Sequence, residues 1–496
     1  MDKILLLFVI TLLVLLLLMV TLLRIVMFLH MLQLEGYRNR RFIKWLFNNP
    51  KRLLGVRPLK SPKKRLVFTA RATRLLIVTL LLLSLMTYYL INLFTPILFL
   101  PAIFMIGVCA PLLLLLSNIV IYPLERTINN IYIRSAQKRL QEYNPKVIAI
   151  TGSYGKTSTK DILAHILSTR YKVLKTPGSF NTPMGICKVI RGELRPEHEI
   201  FIVEMGAREE GNIKELCDLV RPEIGVITAI EHQHLEMFKT IENIKKTKYE
   251  LIDSLPPNGI AVFNNDNENC RSLADRTKEK RVLCYGVNEN NKETDLIARE
   301  ISTSSNGIYF MIQNSKGEVV PYDCRLLGRH NVYNILASVI VASEFGMSLN
   351  EIAEAVKRLE STPHRLELIR GVGGVTIIDD AFNANPVGAR MALEVLGEFK
   401  GGRKIMVTPG LVELGEKEYE ENKQFGIAAA KVCDLVFLVG PKRTRPIFEG
   451  LSEAGFPEIN IYTERSLKDT TERFKDILKS GDIVLFENDL PDTYNE

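Results

Sequence analysis

The sequence predicts an α/β protein in three parts: N-terminal transmembrane helices, a P-loop-type parallel-sheet domain, and a C-terminal Rossmann-like domain. Three observations carry this. Long uncharged apolar runs are confined to the first third of the chain. From Lys146 onward, short apolar strands alternate with amphipathic helices, the pattern of a parallel sheet covered on both faces. The first of those strands ends in a glycine turn, "TGSYGKTS" (Thr151–Ser158), that opens a helix.

The apolar part comes first. Ile4 to Leu23 is an almost uncharged run, and about 20 such residues suffice for a helix to cross a bilayer. Apolar residues resume after Arg24 with no small-residue cleavage site, which reads as an anchor and not a signal peptide. Two further runs, about 75–94 and 97–122, are joined at Thr95-Pro96. Residues 1–146 hold 20 Lys+Arg against 4 Asp+Glu, a net +16, while the whole chain of 496 residues is only +8. The remainder is therefore acidic, and the two parts have different neighbours. Residues 35–74 carry 13 Lys+Arg and one acid. The positive-inside rule places that loop in the cytoplasm, and with it everything after Tyr122. The expectation is a multi-pass protein of the bacterial inner membrane, with catalytic domains in the cytoplasm and the basic loop near anionic lipid. No nucleic-acid partner is expected. Seven cysteines show no C-x-x-C spacing, which argues against a zinc ribbon.

The body follows an amphipathic connector, Glu125–Tyr143. Strands are expected at "KVIAITG", "HEIFIVEMG", "EIGVITAI" and "GIAVFNND", then short β pieces between Asp295 and Leu327 with "NG" and "KG" turns. Two helices, about Asn331–Phe345 and Leu349–Leu359, lead to "STPHR", a hinge. A second alternation starts at Gly374, with strands "VTIIDD", "KIMVTPG", "DLVFLVG", "NIYT" and "DIVLFE". The domain bounds read 1–145, 146–362 and 363–496.

The chemistry gathers at strand ends. The standard phosphate loop is G-x-x-x-x-G-K-[ST], but five residues before Gly155 stands Ile150. The shorter T-G-x-x-G-K-T-S still places backbone N–H groups of Gly152, Ser153, Tyr154 and Gly155 at a helix N-terminus, where phosphate binds. Lys156 adds a positive charge, and Thr157 a hydroxyl for Mg²⁺. Glu204 ends the strand in "VEMGA", the edge where ligands of open α/β sheets sit. His232 and His234 follow the next strand; with Glu204 they suggest a metal, though not at a zinc-signature spacing. Lys248 stands beside Lys245 and Lys246, so spacing alone reads it as a solvated helix face. Asn334 lies in the first turn after "GRHN", where its amide could pair with an adenine edge. Asp379, Asp380, Asn383 and Asn385 mark a second sheet edge, another ligand crevice.

Taken in order, "TGSYGKTS", "NTPMG" (Asn181–Gly185), "VEMGA", "HLEMF" (His234–Phe238), "TKYE" (Thr247–Glu250), "GRHNVYN" and "DDAFNANP" resemble the Mur ligases from about Lys146 to Glu496. These are ATP-dependent, amide-forming enzymes of cell-wall peptide synthesis, related to cyanophycin and folylpolyglutamate synthetases. The likeness is greatest to the branch that joins D-alanyl-D-alanine to a UDP-linked tripeptide. The resemblance implies ATP phosphates on Gly152 to Ser158 and Mg²⁺ on Thr157. It assigns Glu204 and His234 to metal sites and Lys248 to a carbamate formed with CO₂. It also implies Asn334 on adenine, Asp380 on ribose and Arg365 reaching the phosphates. Lys156, Lys248, His234 and Arg365 are then the catalytic set. The implied reaction is amide synthesis through an acyl phosphate, from ATP, an amino acid or dipeptide, and a cell-wall precursor as acceptor.

The chain also departs from the family. Most members begin with a UDP-sugar-holding domain, and here that place is taken by apolar runs; a membrane-presented, lipid-linked acceptor is the alternative. "TPGLVELG" stands where G-D-M-x-E-L-G is frequent. "FENDLPDTY" puts Glu487, Asp489 and Asp492 where a K-G-S-type segment is common, and Phe382 replaces a common Tyr. A rival reading is a catalytically silent, membrane-tethered ATP-binding regulator. A transporter ATPase would need an "LSGGQ"-like segment, which is absent.

Overall fold

The computed structural model describes residues 3–50, 65–93, 96–178, 180–231, 235–288, 294–382 and 384–490. They form two compact units, one from residues up to Ile131 and one from Tyr132–Asp489.

The first unit is helical: α1 (Lys3–Leu34), α2 (Asn39–Asn48), α3 (Ala70–Leu93), α4 (Pro96–Val108) and the part of α5 (Ala110–Tyr143) up to Ile131. Among the described residues, three stretches are long and apolar enough to cross a membrane: Phe8–Leu34, Ala70–Leu93 and Ala110–Tyr143. This corrects the expected third run at 97–122, which is two helices meeting at Cys109. Pro111 explains the break. It has no N–H to give the carbonyl of Gly107, one turn back. The Nε of buried Arg24 donates to that carbonyl instead, at 2.9 Å. The α1–α4 crossing there is close, since a Cβ on Gly107 would lie 2.9 Å from the Thr21 hydroxyl oxygen. The expected connector at Glu125–Tyr143 is likewise no separate element, because α5 runs through it unbroken. Arg74 grips Glu125 with two bonds, 2.6 and 3.0 Å. Of the basic loop, residues 51–64 lie outside the described residues; α2 within it buries Phe42 and Leu46.

In the second unit, a nine-stranded sheet runs β2-β3-β1-β4-β5-β6-β7-β8-β9. Its strands are β1 (Lys146–Thr151), β2 (Val173–Lys175), β3 (Ile200–Glu204), β4 (Ile224–Ile227), β5 (Ile260–Asn264) and β6 (Arg281–Gly286), then β7 (Leu296–Ser304), β8 (Gly307–Asn314) and β9 (Val319–Cys324). Pairing is parallel through β7, then antiparallel. β1 lies between β3 and β4, so the chain leaves it in both directions, and crevices open at such a point. Alternate β1 residues face opposite cores. Ile148 and Ile150 pack with α6 (Lys156–Leu167) and helix His330–Glu344. Val147 and Ala149 pack with helices Pro183–Gly192, Asn212–Val220 and Ile241–Asp253.

A six-stranded sheet follows, ordered β10-β11-β15-β12-β13-β14. Its strands are β10 (Glu367–Arg370), β11 (Thr376–Asp380), β12 (Lys404–Thr408), β13 (Leu435–Val439), β14 (Ile461–Glu464) and β15 (Ile483–Glu487). The expected Rossmann-like alternation is present, with one difference: β10 pairs antiparallel to β11. β10 begins just after the segment read as a hinge. Three of its four residues are exposed, so it lacks the apolar signature of the buried strands.

Candidate functional site

The turn after β1 is built so that only glycine fits at two positions. Gly152 has φ 155° and Gly155 φ 79°. A Cβ on Gly152 would lie 2.0 Å from the Thr228 hydroxyl oxygen, and one on Gly155 2.6 Å from Asn334 Oδ1. The turn is tied to the neighbouring strand end. The Ser153 N–H donates to the Ala229 carbonyl at 2.7 Å. The Ser153 hydroxyl donates to the Glu231 carbonyl and accepts from the Glu231 N–H, at 3.0 and 2.9 Å. The Thr228 hydroxyl donates to the Tyr154 carbonyl. Burial, with Glu231 nearby, pushes the Tyr154 phenol up.

Lys156 opens α6, and its Nζ donates back to the Gly152 and Ser153 carbonyls, at 2.7 and 3.3 Å. Burial lowers its pKa; the Glu204 charge opposes this, and Arg365 adds to it. Thr157, one residue on, donates its hydroxyl to Glu204 Oε2 at 2.8 Å. Ser158 follows in the same turn. Glu204 is buried, and Asn181 donates its amide to the other oxygen at 3.2 Å. The "NTPMG" segment thus meets the "VEMGA" strand end. Thr157 and Glu204 offer hard oxygen donors, which suit Mg²⁺.

Lys248 is where sequence spacing misleads. It is only 5% exposed, on the face of its helix shared with Ile244 and Ile252, whereas Lys246 points to solvent. Burial lowers its pKa well below the usual lysine value, and neighbouring Lys156 lowers it further. His232 and His234 lie outside the described residues.

Asn334 is buried beneath the glycine turn. Its Oδ1 accepts from the Thr159 hydroxyl at 3.2 Å, and its amide donates to Asn331 Oδ1 at 2.9 Å. Its side chain therefore supports the turn. His330, beside it, is held neutral: burial and the Arg365 charge lower its pKa from 6.5 to about 4.

The hinge brings Arg365 to the same region. His364 and Leu366 flank it at φ 59° and 47°, left-handed values that non-glycine residues rarely adopt. His364 Nδ1 bonds Asp379 at 2.7 Å, and the Arg365 guanidinium stacks 4.6 Å from the Phe382 ring centre. The Tyr-to-Phe departure keeps that ring. On the adjacent strands β11 and β15, Asp380 and Glu487 are register partners. Burial raises the pKa of both carboxyls, Glu487 well above the ordinary value, with Asp380 as its second cause. Neither Glu487 oxygen has a hydrogen-bond partner among the described residues, so a charge on Glu487 would find no donor there. Asn383 lies outside the described residues.

Sequence reasoning singled out the loop, Glu204, Asn334, Arg365 and Asp380. It passed over Lys160 and Asn181 as individual residues. Lys160 had a signal, being a lysine within the apolar face of α6.

The profile of the Mur ligase middle domain matches residues 150–342, and that of the Mur ligase glutamate ligase domain matches 364–487. The chain is 33% identical over 356 residues to the UDP-N-acetylmuramoyl-tripeptide–D-alanyl-D-alanine ligase of Bacillus subtilis, covering 71% of this chain and 75% of that protein. It is 33% identical over 304 residues to the Escherichia coli protein of the same name, covering 60% of this chain and 66% of that one. The crystal structure of MurF from Acinetobacter baumannii superposes with a TM-score of 0.66 at 26% identity, over 74% of this chain and 78% of the other. MurF ligase from Thermotoga maritima, solved in complex with ADP, gives 0.64 at 26% identity, over 73% and 80%. The chain belongs to the Mur ligase family, whose members are ATP-dependent ligases that form C–N bonds.

Proposed function

We propose that this ligase joins an amino acid or dipeptide, with D-alanyl-D-alanine the first candidate, to the peptide of a cell-wall precursor, while its apolar helices hold it in a membrane. The observation that carries the reading is the Thr157–Glu204 contact at the sheet edge, with the Glu204 charge acting on Lys156 and Lys156 in turn on buried Lys248. The printed names of the relatives supply the candidate dipeptide.

A precursor carboxylate oxygen attacks the γ-phosphorus of ATP, and ADP leaves. The amine then attacks the acyl carbon, phosphate leaves, and the nitrogen sheds its proton. Lys156 turns from the two loop carbonyls to the phosphates, where its charge and the loop N–H groups stabilise the transferring group. Thr157 and Glu204 are the residues to hold Mg²⁺, which when bound neutralises phosphate charge; His234 joins them on resemblance alone. A lysine with a lowered pKa is the form that reacts with CO₂: the neutral amine gives a carbamate and a proton. Lys248 is buried in that way. Arg365 approaches the phosphates from the hinge, and Asp380 takes the ribose. Asn334 keeps the turn in register; its assignment to adenine rests on resemblance alone.

Membrane anchoring rests on the three long apolar helices and on their exposed side chains. Leu12, Leu15, Leu81 and Leu85 are each more than half exposed, and water tolerates such continuous apolar surface poorly.

The deciding experiment is phosphate release from ATP, with D-alanyl-D-alanine and single amino acids as amines. UDP-linked and lipid-linked peptides serve as acceptors. Release that requires both an acid and an amine is expected, with the UDP-linked tripeptide accepted. Preference for the lipid-linked acceptor would favour the alternative. ATP binding without dependent turnover would favour the silent regulator.

A further inference from the structure

α6 carries a second lysine one turn after Lys156. Lys160 is fully buried. Its Nζ lies 3.4 Å from Glu204 Oε2 and donates to the Gly178 carbonyl. The same Oε2 accepts the Thr157 hydroxyl at 2.8 Å. The strand end is pinned as well, because the Glu204 N–H donates to the Thr176 hydroxyl at 3.1 Å. Burying an ammonium group is costly even when it is paired, and an apolar side chain would fill the space more cheaply. Packing alone does not account for a lysine here.

The contact has a chemical consequence. Oε2 is the Glu204 oxygen nearest Thr157, so it is the one placed to share a cation with that hydroxyl. Lys160 is already beside it. Lys160 also bonds the Gly178 carbonyl, and Asn181 holds the other Glu204 oxygen.

We propose that Lys160 is a positioning residue, the internal counter-ion of Glu204. It holds the carboxylate in place and competes with free divalent cations for it, so that a metal enters only together with nucleotide phosphates. The proposal rests on the ATP-ligase reading for the role of Glu204, but its test needs no turnover.

The test is Mn²⁺ binding followed by electron paramagnetic resonance, on the full chain in detergent without nucleotide. Wild-type protein is expected to bind Mn²⁺ weakly and to gain affinity when ADP is added. Lys160→Met is expected to bind nucleotide-free Mn²⁺ at least about tenfold more tightly, the smallest effect usual for a charge at this distance. Lys160→Arg keeps the charge and should stay weak. The gain should vanish in Lys160→Met combined with Glu204→Gln. Unchanged or weaker binding in folded Lys160→Met overturns the proposal. If that variant does not fold, Lys160→Gln is read by the same criterion. Tight Mn²⁺ binding by nucleotide-free wild type overturns it without any variant. A protein that behaves as expected here but turns over no substrate leaves the counter-ion role standing and removes the ligase reading.

Discussion

The two sheet edges of the second unit treat buried charge in opposite ways. At the end of β3, Glu204 is surrounded by donors: the Thr157 hydroxyl, the Asn181 amide and the Lys160 ammonium. At the end of β15, Glu487 is just as buried, yet it faces another carboxyl and, among the described residues, no donor. The first edge fixes an orientation, and the second favours the neutral form of its carboxyl. A paired buried ion is expensive to break, because each partner is stranded without the other. An unpaired buried carboxyl instead becomes neutral by holding its proton.

The largest expected effect is on catalysis at the first edge. Lys156→Ala should lower ATP-dependent turnover by about 10²–10³-fold or more, the loss typical for one preorganised charge-stabilising group. Its melting temperature should change little, since among the described residues the lysine bonds only its own loop. Rapid turnover by this variant would remove Lys156 from the mechanism.

Next comes stability at the same edge. Glu204→Ala strands Lys160 and should cost about 3–5 kcal/mol, read by denaturant unfolding. A loss below about 1 kcal/mol would mean that the two edges do not differ as described.

Lys248 adds a pH dependence. Its folded pKa lies well below 10.5, so in the interval between the two values the unfolded chain binds a proton that the folded chain does not. Stability should therefore rise with pH across that interval. Lys248→Met should flatten the rise and abolish activity. In bicarbonate labelled with ¹³C, wild type should show a carbamate resonance that the variant lacks.

Glu487 carries the opposite sign. Its folded pKa lies well above 4.5, so here the folded chain holds the extra proton. Stability should fall as pH rises from about that value. Glu487→Gln should remove the fall and gain about 1 kcal/mol at pH 8, the scale of one unsatisfied buried group. Melting curves at pH 5 and pH 8 check this.

The smallest effect concerns His330. The unfolded histidine takes a proton near pH 6.5 and the folded one only near 4. Stability should fall with acidification across that window, and less so in His330→Gln.

Much of this protein was legible in its sequence, because the signals were local. The period of apolar residues gave the strands and helices, and the Gly-Lys-Thr turn after a strand marked the proposed phosphate site. The uncharged runs gave three candidate spans, although the effect of Pro111 on Gly107 and the rescue by Arg24 needed the neighbouring helix to be seen. Burial of individual charges was not legible. Lys246 and Lys248 stand two residues apart in a run of like residues, and only packing against the sheet sends one to water and the other inside. The same holds for Lys160, Glu204 and Glu487, whose partners lie far off in the chain. Sequence alone decided which elements form, since hydrogen bonding and side-chain period act over a few residues. Tertiary structure decided which charges lose water and what they meet there, because desolvation and Coulomb attraction depend on distance in space.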